Sequence, residues 1–305
     1  MKQRLVVGSR GSKLALIQAE SVVKRLRELN PHLEVSITKI VTAGDRDRNT
    51  RLDQLGEAIF VRELEKALLD KQIDLVVHSL KDVPNELPPG LCLLATPERL
   101  DPRDALVARV KLKELPLGAK IGTSSLRRVA EFKHYRPDIE ACAIRGNVDT
   151  RLRKVDSGEY DGLVVAAAAM LRMGLTDKIV DYLPMEHFLP SVGQGALVVE
   201  AREDDDAVKE LVAPLNNLPV WQSVIAERAF LLELGGGCRA PIGALGSING
   251  TTLKLEGMIA SLNGDTIMRA TLEGNASQAA EIGKSLARKL LDMGAAAFIP
   301  KMERR

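Results

Sequence analysis

The chain has 305 residues, 45% apolar and 28% charged, which is long enough for two or three domains with their own cores and unlike a disordered composition. Lys and Arg number 43 against 41 Asp and Glu, a net charge of +2, so nothing overall points to nucleic acid or a membrane surface and any basic site must be local. No run approaches the ~20 apolar residues of a membrane span, and the stretch before Arg10 is too short for a signal peptide, so a cytoplasmic protein is expected.

In chain order, 4–7 reads as a strand and 12–29 as a helix with Ala15, Ala19, Val22, Val23, Leu26 and Leu29 on one face. A strand at 35–41 and a helix marked by Val61, Leu64 and Leu68 follow. The continuous apolar run 73–77 suits a buried parallel strand. This alternation predicts βαβ units and a doubly wound sheet. After the turn-rich 84–90 and the apolar 91–95, the polar segment 96–104 is expected to cross into a second domain. There the pattern resumes, with strands at 105–107, 120–122, 139–144 and 163–165 and helices over 124–134 and from 149. The Gly-punctuated bend 191–195 leads into a strand at 196–200 and reads as a hinge back to the first domain. The C-terminal stretch differs: a helix over 221–234 stops at Gly235-Gly236-Gly237 and strands at 253–260 and 266–273 flank the hairpin signal Asn263-Gly264. A last helix, 278–291, closes at Gly294. The expected fold class is α/β: two doubly wound domains, 1–96 with 196–216 and 97–195, plus a small C-terminal α+β domain, 217–305.

Three times a strand ends and a small polar residue opens a helix with arginine beside it. These places are Arg10-Gly11-Ser12, Thr123-Ser124-Ser125-Leu126-Arg127-Arg128, and Arg145-Gly146-Asn147-Val148-Asp149-Thr150-Arg151. Helix N-termini attract anions, so arginine there is unfavourable unless an anion is present. Either a carboxylate ligand, which the guanidinium fork suits, or local acidic residues supply it. All three places fall at strand ends, where doubly wound sheets bind ligands. Asp82, in His78-Ser79-Leu80-Lys81-Asp82, adds a carboxylate to the same rim, able to stabilise a cation or move a proton, or simply solvated. Cysteines 92, 142 and 238 and the four histidines lack the spacing of a disulfide framework or a metal site. Cys238 follows three glycines and precedes Arg239, which favours an exposed thiolate over a structural thiol. Cys92 and Cys142 sit in apolar strand-like runs and read as core residues.

The segments GSRGSKLALIQA, DLVVHSLKDVP, IGTSSLRR, RGNVDTRLRKV, SVGQGALVVE and ERAFLLELGGGCRAPIG span nearly the whole chain. In this order they resemble the motif series of the porphobilinogen deaminase family. The resemblance implies three domains, the first two like periplasmic-binding-protein lobes with the chain crossing twice between them. It implies a monomeric transferase of haem and porphyrin (tetrapyrrole) biosynthesis, which condenses four porphobilinogens head to tail into hydroxymethylbilane with release of ammonia. It also implies a dipyrromethane cofactor, built from the substrate and held by Cys238 through a thioether, with Asp82 as the catalytic carboxylate. Lys81, Ser79, Thr123, Ser125, Arg127, Arg128, Arg145 and Gly146 are implied on the cofactor, with Ser124 in a matching segment. Arg10, Ser12, Arg145, Arg151, Phe60 and Gln194 are implied on the substrate. Two departures stand out: Glu57 near the place of a loop lysine, and Gly235 where an acid is common. The rival reading from another class is a non-catalytic two-lobed anion-binding protein. A phosphate-binding transferase is weaker, because the chain has no Walker-type loop.

Overall fold

The computed structural model describes residues 2–46, 59–235 and 240–299. The first lobe begins with β1 (Arg4–Arg10), α1 (Lys13–Leu29), β2 (Glu34–Ile40), α2 (Ala43–Arg46), α3 (Arg62–Leu69), β3 (Leu75–Ser79) and β4 (Leu91–Ala95). The chain crosses to β5 (Asp104–Ala108), β6 (Lys120–Gly122), α4 (Leu126–Tyr135), β7 (Glu140–Cys142), α5 (Val148–Asp156), β8 (Gly162–Ala166), α6 (Ala167–Arg172) and β9 (Asp181–Tyr182). It returns through β10 (Leu197–Arg202) and α7 (Asp206–Val212). The C-terminal unit is α8 (Leu218–Leu234), β11 (Ile242–Asn249), β12 (Thr252–Ala260), β13 (Ile267–Asn275) and α9 (Ala279–Asp292).

Each lobe holds a five-stranded sheet, ordered β2-β1-β3-β10-β4 in the first and β7-β6-β8-β5-β9 in the second. β1 runs parallel to β2 and β3, and β6 to β7 and β8, as the βαβ alternation predicts. The fourth strand of each sheet is antiparallel to both neighbours: β10 against β3 and β4, β5 against β8 and β9. These are the strands by which the chain enters one lobe from the other, so they run against the strands of that lobe's βαβ units. The α/β class with a small α+β unit holds, but the sheets are mixed and not uniformly parallel.

Local signals explain the elements. Ser12 accepts a hydrogen bond from the Ala15 amide at 3.3 Å and caps α1. The face Ala19, Val22, Val23 and Leu26 then packs with Leu5, Val7 and Leu197, each large aliphatic contributing about 1.5–3 kcal/mol when fully buried. Every residue of β8 and β10 is buried, as expected of strands covered on both faces. β11 is absent from the sequence reading because Gly243 and Gly246 break its alternation. They serve close packing, since a Cβ there would meet the Leu189 and Ser223 carbonyl oxygens at 2.8 and 3.0 Å. Cys92 and Cys142 lie on the edge strands β4 and β7 and are half-buried, which corrects their reading as core residues. Burial still pushes both thiols up.

Candidate active site

Residues at the carboxyl ends of β1, β3, β6, β7 and β8 line one cleft of about 760 Å³ between the lobes. From the first lobe come Arg10, Ser12, Phe60, Ser79, Lys81 and Asp82, and from the second Ser124, Ser125, Arg127, Arg128, Arg145, Gly146 and Arg151. Among the described lining residues there are eight cations and three carboxylates, although the whole chain is only +2. The basic site is indeed local. Leu231 and Ala240, on either side of 236–239, also line the cleft. Cys238 itself lies outside the described residues, as does Glu57.

Several arginines find their anion inside the protein. Arg10 is paired with Asp45, Nη2 to Oδ1 at 2.6 Å, and stands over the Phe60 ring at 4.1 Å. Burial pushes the Asp45 carboxyl up, and the bonds and charge of Arg10 with the help of Thr42 more than reverse this. Arg127 donates to Ser191 Oγ, Glu131 Oε2, the Leu189 carbonyl and Asp104 Oδ2, and is only 3% exposed. Arg128 donates to Asp104 Oδ1 at 2.6 Å and to the Val164 carbonyl at 2.9 Å. Asp104 is fully buried; burial would raise its pKa, but the two guanidinium groups hold it well below the usual carboxylate range. The anion that offsets Arg127 and Arg128 at this helix start is therefore Asp104, whereas burial pushes the Glu131 carboxyl up to about 8 in spite of Arg127 beside it.

Other cations are less committed. Among the described residues, no carboxylate lies within ion-pair distance of Lys81 or Arg151. Lys81 Nζ reaches only Gln194 Oε1, at 3.4 Å, and Arg151 Nε donates to the Gly146 carbonyl at 2.7 Å. Burial lowers Lys81 to about 8, with Arg128 and Arg127 adding to the effect and Asp82 and Asp104 opposing it. Burial, Arg128 and Arg145 lower Arg151 to about 10, with Asp82 opposing. An arriving carboxylate relieves this repulsion and gains both charges. Ser79 Oγ accepts from Gln18 Nε2 at 2.7 Å, while the Ser125 hydroxyl caps α4 through the Arg128 amide.

Two expected contacts sit deeper than the cleft surface. Thr123 is 1% exposed, and its hydroxyl accepts from the Ser125 amide. Gln194 is fully buried, and its amide donates to Asp104 and the Pro102 carbonyl. Both lie beneath the residues that face the cleft. Sequence reading missed Asp104 and the cleft-lining Arg172, which pairs with Glu98 at 3.0 Å. The available signal for Asp104 was a carboxylate opening an otherwise apolar strand.

The family model described as "Porphobilinogen deaminase, dipyromethane cofactor binding domain" matches residues 5–210, and the one described as "Porphobilinogen deaminase, C-terminal domain" matches 221–292. The chain belongs to the porphobilinogen deaminase family. Porphobilinogen deaminase of Thermus thermophilus is 47% identical over 293 residues, covering 95% of this chain and 96% of that protein. The porphobilinogen deaminases of Syntrophomonas wolfei and Roseiflexus castenholzii are each 45% identical, covering 97% and 98% of this chain and 98% and 99% of theirs. Among solved structures, the methionine-binding protein MetQ matches with a TM-score of 0.46 at 14% identity, over 81% of this chain and 99% of that one. Like the rest of the porphobilinogen deaminase family, the chain carries the dipyrromethane cofactor binding domain. No helix among the described residues is long and apolar enough to cross a membrane.

Proposed function

We propose that this enzyme condenses four porphobilinogens head to tail into hydroxymethylbilane, releasing ammonia, with Asp82 as its catalytic carboxylate and a dipyrromethane held through Cys238. The observation that carries the reading is the position of Asp82. It is exposed to the cleft, and among the described residues it has no hydrogen-bond or ion-pair partner, in a wall made mostly of cations. Of the other two lining carboxylates, Asp45 is bound to Arg10, and Asp149 stands in the first turn of α5, where the helix dipole favours it. Asp82 is left to face whatever occupies the cleft.

The cleft residues fit a dipyrromethane. Lys81, Arg145 and Arg151 suit its acetate and propionate groups, and Phe60, Val165 and Leu231 offer apolar surface to its rings. When bound, that group supplies the nucleophilic carbon on which the chain starts. The protein's own part is positioning and charge. The cations hold substrate carboxylates and so set the ring orientation needed for carbon–carbon bond formation. Asp82 faces the positive charge that develops as ammonia leaves and accepts or returns a proton there. Arg127 and Arg128 in the cleft wall and Gln194 beneath it order the floor around Asp104. The units 1–96 with 196–216, 97–195 and 217–305 form three domains, a reading supported by the three separate sheets. The enzyme works as a cytoplasmic monomer without nucleic acid or membrane, consistent with its balanced overall charge.

The test is Asp82→Asn, which removes the charge and keeps the shape. Porphobilinogen turnover falls by about 10²–10⁴, the range of a general acid–base group, with the melting temperature unchanged. A variant that keeps more than about a tenth of the wild-type rate refutes the assignment of Asp82. Intact mass shows the dipyrromethane on wild type and none on Cys238→Ala; attachment at Cys92 or Cys142 overturns the cofactor site.

A further inference from the structure

We infer that Arg228 is a positioning residue: it ties the segment carrying Asp82 to the helix that leads into the cofactor loop. This rests on the roles proposed above for Asp82 and Cys238. Asp82 has no hydrogen-bond or ion-pair partner among the described residues, so its own side chain does nothing to hold it. Its place is set by the backbone that carries it.

That backbone leaves β3 in a single 3₁₀ turn, Leu80–Asp82, and continues through Pro84, which has no N–H to offer. Before Asp82 the segment is anchored within its own lobe. The Leu80 amide donates to the Ala196 carbonyl at 3.0 Å, and His78 Nε2 lies 2.8 Å from Glu200 Oε2. After Asp82 the anchor comes from another unit. Arg228, on α8, donates through Nη2 to the carbonyls of Pro84 and Asn85 at 2.8 and 2.9 Å and through Nη1 to that of Val83 at 3.4 Å. Asn85 Nδ2 donates back to the Arg228 carbonyl at 3.5 Å. Leu80 and Val83 pack against Val220 and Val224 of the same helix.

The chemistry of this contact is unusual for an arginine. Among the described residues no carboxylate lies within ion-pair distance of Arg228. Burial lowers it to about 10, and the Glu200 charge only partly compensates. A largely buried cation is devoted to three consecutive carbonyls that no sheet or helix satisfies, reached through two nitrogens of the planar guanidinium fork, which is longer and more rigid than a single ammonium. α8 ends at Leu234, four positions before Cys238 in the sequence. The helix that Arg228 ties to the Asp82 segment is therefore the element that immediately precedes Cys238 in the sequence.

The experiment compares wild type, Arg228→Lys and Arg228→Met, each weighed intact to count the chains that carry the dipyrromethane. In Arg228→Met, kcat per loaded chain falls about 10- to 100-fold, the cost of misplacing a reacting group by about an ångström. KM changes far less, because Arg145 and Arg151 stand on the other lobe. Hydrogen exchange speeds up in residues 80–86 and not elsewhere in the first lobe. Arg228→Lys falls between the two. Wild-type kcat per loaded chain in Arg228→Met, or unaltered exchange over 80–86, overturns the inference. So does a general loss of protection in which the loss of activity follows only the loss of loaded chains. If Arg228→Met does not fold, Arg228→Lys decides by the same two readings. Wild type without a dipyrromethane or without turnover sinks the underlying functional reading instead, and exchange over 80–86 still reports on Arg228.

Discussion

Glu65, His78 and Glu200 place two carboxylates and an imidazole in the interior of the first lobe, at 4%, 5% and 0% exposure. One oxygen each of Glu65 and Glu200 has no hydrogen-bond partner. Burial, then the charge of Glu200, pushes Glu65 from 4.5 up to about 7, with His78 and Arg62 opposing; Arg228 also feels Glu200. A carboxyl with a raised folded-state pKa holds an extra proton in the folded protein between the two values. Stability from it is complete below about 4.5 and is lost as the pH rises through about 7. Glu65→Gln keeps a neutral group in place at every pH, so between about pH 5 and about pH 8 it loses less stability than wild type in urea titrations. Parallel pH curves for the two proteins would show that Glu65 is ionised throughout.

At the level of elements, the contact between α8 and α9 depends on Gly283. A Cβ there would lie 2.2 Å from the Ala226 carbonyl oxygen and 2.9 Å from the Phe230 amide nitrogen, both backbone atoms that cannot rotate away. Alanine gains about 1 kcal/mol of helix propensity over glycine, whereas overpacking costs about 1–3 kcal/mol. A clash with backbone puts the cost near the upper end, so the steric effect wins. Gly283→Ala lowers the melting temperature, and an equal or higher one would mean that α8 and α9 separate without cost. Periodicity made α1 readable from the sequence, and the glycine run at 235–237 marked the end of α8, which is apolar nearly all round; the short α6 and α7 offer too few turns for a period to show.

For the molecule as a whole, Glu227 joins the C-terminal unit to both crossings between the lobes. Fully buried on α8, it accepts two hydrogen bonds from Arg99 in the first crossing, one from the Gly193 amide in the second at 2.7 Å, and one from the Gly246 amide of β11 at 2.8 Å. Glu227→Gln keeps the shape but leaves the Arg99 cation without its counter-charge, a loss of about 3–5 kcal/mol for a broken buried pair. The midpoint of denaturation drops accordingly with an unchanged m-value. A loss under about 1 kcal/mol would mean that water replaces the carboxylate.

The sequence by itself determined the alternation of strands and helices, the Asn263-Gly264 hairpin, the small polar residues that open the helices after β1 and β6, and the motif that singles out Asp82, because period and turn chemistry are local properties. It also placed the arginines at strand ends, but not which of them are already paired. Only the tertiary structure decided that Asp104, from the first crossing, neutralises Arg127 and Arg128, and that Asp45 takes Arg10, while Lys81 and Arg151 have no carboxylate within ion-pair distance among the described residues. It likewise made β5 and β10 antiparallel and put Arg228 behind Asp82. The reason is physical: a charge is held by whatever groups folding brings within a few ångströms, and those partners lie 23 to 145 positions away along the chain.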